Sequence, residues 1–111
     1  MSDLRVANTI LEQLGGAQFI VMTGSKNFVG DDNSLTMRLA RNKSKANMLK
    51  ITLTPMDDYT VEFYRYTSAH FTRNYNWIDE KRVTVKKLDG VYFDQLQRIF
   101  EDVTGLYTRI R

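Results

Sequence analysis

Cysteine is absent from this chain. Its absence excludes disulfides, thiolate metal centres and cysteine nucleophiles, and it fits a reducing cytosol. Histidine occurs once, as His70. A single histidine with no motif around it supplies neither a Ser-His-Asp arrangement nor a histidine metal set. Long hydrophobic runs are missing too, and no stretch approaches the ~20 apolar residues that cross a bilayer. The opening "MSDLRVANTILEQLGG" holds Asp3 and Glu12 and no unbroken apolar core, so it does not read as a signal peptide. The expectation is a protein that is not an enzyme, that works without cofactor or metal, and that does not enter a membrane.

What is present has the composition of a folded domain. Hydrophobic residues make up 42% and charged residues 26%, both ordinary for a globular chain. A length of 111 residues fits one domain, 1–111, able to bury roughly two thirds of its unfolded surface. The net charge of +3 is too mild to argue for nucleic acid by itself. Its distribution is uneven: Arg38, Arg41, Lys43, Lys45 and Lys50 fall in one stretch that holds no acid.

Leu4, Ala7, Ile10, Leu11 and Leu14 recur at helical spacing and predict a helix over 3–14, capped by Ser2 or Asp3 and ended by Gly15-Gly16. Strands are predicted at 17–22 ("AQFIVM"), 34–40, 48–54, 59–66 and 82–88. Leu35, Met37 and Leu39 alternate with Thr36 and Arg38. Leu49, Ile51 and Leu53 alternate with Lys50 and Thr52. Tyr59, Val61 and Phe63 are expected inside, with Glu62, Tyr64 and Tyr66 outside. Val83 and Val85 are expected inside, with Arg82, Thr84 and Lys86 outside. Such alternation marks a sheet with one covered face. A last helix is predicted over 90–104, with Tyr92, Leu96, Ile99, Phe100 and Val103 on one face, Asp89 as N-cap and Gly105 as a left-handed C-cap before Leu106. The predicted fold is α+β in two layers. An antiparallel sheet of four to five strands carries the N-terminal and C-terminal helices on one face. Leu11, Leu35, Ile51, Val61, Val83, Leu96 and Ile99 are its expected core.

Three blocks, "ILEQLGGAQFIVMTGSKNFVGDDNSLTMRLAR", "ITLTPMDDYTVEF" and "GVYFDQLQRIFEDVTGLYTRIR", resemble a family of small uncharacterised proteins of tailed phages and bacterial prophages. The most telling pieces are Leu14-Gly15-Gly16, Met22-Thr23-Gly24, Asn33-Ser34-Leu35 and the tail from Val91 to Thr108. The resemblance implies a phage accessory protein in the cytoplasm of a bacterial host. It brings no catalytic or binding residues with it, and it fades over 67–80, "TSAHFTRNYNWIDE".

Four features invite a functional reading. "MTGSKNF" has the residue types of a phosphate loop but not the Gly-Lys adjacency or the following helix, so a turn at Gly24 is expected instead. Asp31-Asp32 and Asp57-Asp58 offer oxygen ligands for Mg²⁺, yet both sit in loops where aspartate serves turn geometry. The outward set Arg38, Lys50, Tyr64, Tyr66, Arg82 and Lys86 mixes cations with aromatics, as a nucleic-acid surface does, though without an RNP pattern. The fourth is the segment His70, Phe71, Arg73, Tyr75 and Trp77, which concentrates hot-spot residue types among turn residues. The expected function is binding of a protein partner, of host or phage, through that segment. Binding of nucleic acid on the basic sheet face is the alternative. A one-sided sheet also leaves edges and a bare face that a homodimer can cover.

Overall fold

In the computed structural model, which describes residues 4–108, the first helix forms as α1 (Arg5–Leu14). The expected cap at Ser2 or Asp3 lies outside the described residues. Ala7, Ile10 and Leu14 are buried at steps of three and four, which is the apolar stripe the spacing predicts. Gly15 closes the helix, its N–H reaching Glu12 O at 3.0 Å.

The next segment departs from the sequence reading. Residues 17–22 are not a strand but the middle of a second helix, α2 (Gly16–Thr23). Phe19 and Thr23 are its buried positions, four residues apart, while Val21 points into water. A short apolar run has no periodicity of its own, and here contact with the core settles it as helix. Gly24 ends α2 in the left-handed conformation, φ +68°, donating to Ile20 O at 3.0 Å. The chain then enters a strand where a turn was expected.

Five strands form one antiparallel sheet: β1 (Lys26–Gly30), β2 (Ser34–Arg38), β3 (Met48–Leu53), β4 (Tyr59–Thr67) and β7 (Lys81–Val91), in the order β1-β2-β3-β4-β7. Two short strands, β5 (His70–Phe71) and β6 (Trp77–Ile78), pair separately. The alternation in β2, β3 and β4 holds as predicted. Leu35, Met37, Leu49, Ile51, Val61 and Phe63 are buried on one face. Against them lie Ala7, Ile10, Leu14 and Phe19 from the first two helices, with Leu96 and Phe100 from α3 (Leu96–Thr104). The three helices of the described residues thus share one face of the sheet. Phe100 sits at the centre, its ring 4.9 Å from Phe19 edge-on and 6.4 Å from Phe63. Gly30 marks where α1 crosses β1. A Cβ there would stand 2.8 Å from Leu4 Cδ2 and 2.9 Å from Ala7 Cβ.

The C-terminal half needs several corrections. β7 continues to Val91, past the expected helix start. Asp89 is therefore no N-cap; it stays in the strand and accepts a hydrogen bond from Thr60 Oγ1 at 3.1 Å. Tyr92 is exposed, and a single 3₁₀ turn (Phe93–Gln95) leads into α3. Gly105 does cap α3 with φ +75°, as predicted. Val83 and Val85 are exposed rather than inside, while Leu11 and Ile99 are partly buried against the core. On β7 only Leu88 and Val91 turn inward, opposite Val61 and Tyr59. No helix among the described residues is long and apolar enough to cross a membrane.

Candidate functional site

The exposure of Val83 and Val85 follows from the pairing of β4 with β7. Beside the core, Val61 pairs with Leu88 and Phe63 with Lys86. One extra residue on β7, Val85, then shifts the register, and Tyr64 pairs with Thr84. From that pair onward, each step along one strand is matched by a step back along the other. Tyr66 pairs with Arg82, Thr67 with Lys81, His70 with Ile78 and Phe71 with Trp77. The segment that the sequence reading left unplaced is thus the end of one long hairpin. Only the ladder at 68–69 and 79–80 is interrupted. Seven residue steps separate Tyr64 from Phe71, roughly 23 Å of strand. Every described residue from Ser68 to Lys87 is exposed except Thr72, so this arm extends beyond the helical layer.

The tip holds the predicted recognition residues together. Phe71 and Trp77 are cross-strand partners with ring centroids 4.9 Å apart, edge to face. Such a pair is worth about 0.5–1.5 kcal/mol beyond the area it buries. The Trp77 indole N–H donates to Asp79 Oδ1 at 2.6 Å, which fixes the ring's orientation. Phe71 is 65% exposed and Trp77 53%, so neither is folded back into the core. His70 sits opposite Ile78, with Nδ1 2.7 Å from the Ser68 carbonyl oxygen. The connecting loop is a closed turn. Tyr75 N–H donates to Thr72 O, Thr72 N–H to Asn76 O, and Asn76 N–H to Thr72 Oγ1. Arg73 is exposed in it. Tyr75 stands in the left-handed region, φ +62°, and is 87% exposed. Sequence reasoning missed Ile78 as a member of this cluster; only the strand pairing puts it beside His70.

The outer sheet face is assembled differently from the expected basic-aromatic surface. Glu62 is its centre. It accepts from Arg82 Nη2 at 2.7 Å and from Thr84 Oγ1 at 2.7 Å, and the register sets Lys50 and Lys87 on either side. The Arg82 guanidinium lies 3.9 Å above the Tyr64 ring, a cation-π contact of about 1 kcal/mol. Tyr64 is therefore only 6% exposed, and its face is taken. Tyr66 is half-buried, and its phenol is pushed above the usual tyrosine range first by desolvation and then by the Glu80 carboxylate. Lys86 is not on this face at all. The extra residue at Val85 places it opposite Phe63, and Lys87 takes the outer position. Arg38 is exposed at the end of β2.

The remaining features are turn chemistry. Thr23 Oγ1 donates to Phe19 O at 2.7 Å and lies 2.8 Å from Ser25 Oγ, so both hydroxyls of the phosphate-loop look-alike are buried in mutual contact. Asp57 holds φ +64°, and Thr54 Oγ1 donates to Asp58 Oδ1 at 2.5 Å within the same turn. Asp31 N–H donates to Ser34 O at 2.9 Å across the β1–β2 turn. Comparison with protein-family models, with curated proteins and with solved structures returns no match.

Proposed function

We propose that this protein is a phage or prophage accessory factor that acts by binding a protein partner, of the phage or of its bacterial host, in the host cytoplasm. The partner seats on the tip of the β4–β7 arm. The observation that carries this reading is the exposure of Phe71, Tyr75 and Trp77 together at the end of a hairpin in constant register. Large aromatics in water forgo about 25 cal/mol for each Å² of apolar surface left uncovered. A cluster of them on an arm is the composition of an interface centre, where tyrosine, tryptophan and arginine dominate. Loops carried by a rigid sheet are the usual place for such residues. The phage-like blocks in the sequence supply the setting, and the tip supplies the surface. Binding rather than catalysis is the role that follows.

The test compares wild type with Phe71→Ser, Tyr75→Ser and Trp77→Ser. All three side chains lie outside the core, so thermal melts should stay within a few degrees of wild type. Proteins retained by the wild-type chain from host lysate should be lost with each variant, and self-association read by light scattering should fall if the partner is a second copy. Trp77 is the only tryptophan, so its emission should start as that of a wet indole and shift blue on binding. Variants that melt far below wild type, or that retain the same partners, would refute the reading.

A further inference from the structure

At the base of the arm, the β2–β3 connection and Arg65 enclose a cleft of about 680 Å³ whose charged lining is wholly basic: Arg38, Arg41, Lys43, Lys45 and Arg65. We infer that this cleft binds the phosphate backbone of a nucleic-acid strand, without reading its sequence. The site is independent of the arm tip and of the protein partner proposed for it.

The loop that carries Arg41, Lys43 and Lys45 is braced by hydrogen bonds. The Asn42 amide donates to Ala40 O at 2.8 Å and to Ala46 O at 2.9 Å, and its Oδ1 accepts from Ser44 N–H at 3.0 Å and from the Ser44 hydroxyl. Ser44 Oγ accepts from Ala46 N–H. Asn47 clamps the other end, with its Nδ2 donating to Tyr66 O and its Oδ1 accepting from Tyr66 N–H at 2.7 Å. Lys43 N–H reaches Thr104 O, and Arg65 Nη1 donates to Lys45 O at 2.9 Å. The polar groups of the loop are thus used to hold its shape, while all five cationic residues stay exposed and Arg65 spends one N–H on the loop.

Among the described residues none of these five side chains forms an ion pair with a carboxylate. Arg82 and Arg98 do form such pairs, with Glu62 and Asp102. Like charges gathered around one cleft repel one another, and a polyanion relieves the repulsion while releasing its own counterions. The lining also selects among polyanions. Of its apolar members Leu39 and Ala46 are buried and Ala40 is half-buried and small, so the lining offers no large apolar side chain to insert into a bilayer or to anchor a protein interface. A phosphodiester backbone asks only for cations and fixed hydrogen-bond donors, and Arg65 keeps guanidinium N–H groups beyond the one on Lys45.

The experiment measures binding of labelled single- and double-stranded oligonucleotides by fluorescence polarisation across a salt series. The triple variant Arg41→Gln, Lys43→Gln, Lys45→Gln is compared with Lys81→Gln, Lys86→Gln, Lys87→Gln, which removes the same charge from β7. Wild type should bind at ~50 mM salt and weaken steeply as salt rises. The cleft variant should lose at least ~10-fold in affinity and flatten the log–log salt slope by about 2–3 units, while the β7 variant changes little. Amide resonances of Asn42, Ser44 and Ala46 in the wild-type chain should shift on addition of oligonucleotide, which keeps the test open if a variant misfolds. No binding at low salt, equal losses in both variants, or binding to vesicles of anionic phospholipid but not to oligonucleotides would each overturn the inference.

Discussion

Among the described residues, four other than glycine hold positive φ: Asn27, Lys45, Asp57 and Tyr75. Asn27 and Asp57 are of the types that tolerate the left-handed region, and both serve turns or strand irregularities. Lys45 and Tyr75 are not. One lies in the basic loop and the other at the arm tip. At Tyr75 the turn closes with the geometry that usually takes glycine in a three-residue hairpin loop. Keeping tyrosine there costs about 1 kcal/mol or more, and it sends the phenol into water. Tyr75→Gly should therefore tighten the hairpin while removing its most exposed aromatic. The Thr72 and residue-75 amides should exchange more slowly with deuterium, and partner retention should fall. Unchanged or faster exchange would show that the tyrosine is not strained.

At the scale of elements, β2, β3 and β4 were legible because one face of each is fully covered, so polarity alternates with burial. Helix α1 was legible from Ala7, Ile10 and Leu14. α2 was not, because an eight-residue apolar segment reads equally as strand or helix until Phe19 is seen against Phe100. In β7, Val83 and Val85 alternate as an inward face should, but alternation says nothing about how far the covering helices reach. The extra residue at Val85, which moves Lys86 off the outer face, has no sequence mark. The clustering of Phe71, Tyr75 and Trp77 was readable; their place at the end of one hairpin was not. The two kinds of apolar position separate experimentally. Leu96→Ala, at a site 2% exposed, should cost about 2–5 kcal/mol. Val83→Ala, on the bare arm, should stay within about 0.5 kcal/mol. Denaturant melts of the pair check this, and similar losses would mean that the arm is packed in solution.

Across the whole molecule, the sheet and the helical layer are joined by hydrogen bonds as well as by the core. Tyr59 OH donates to Gln13 Oε1 at 2.8 Å, and within the helical layer Gln97 Nε2 of α3 donates to Leu14 O of α1 at 2.9 Å. Burial, the largest influence, pushes the Tyr59 phenol above 10.0. The folded chain thus holds this proton more tightly than the unfolded chain does. The stability it confers is complete below the unfolded pKa of about 10, and it is lost as pH climbs through the higher folded value. Tyr59→Phe should cost about 1 kcal/mol at neutral pH and should flatten the stability profile above pH ~10. A variant whose alkaline profile matches wild type would assign the high-pH loss to other groups. The arm acts at the same scale. Because its strands run in constant register, its length is quantised. Adding one residue to each strand turns Phe71 and Trp77 to the opposite face of the ribbon. Adding two restores the face and carries the aromatic pair about 7 Å farther from the body. The hairpin is therefore a ruler with alternate gradations, on which the reach of the tip and the side it presents are set by the count of matched residue pairs.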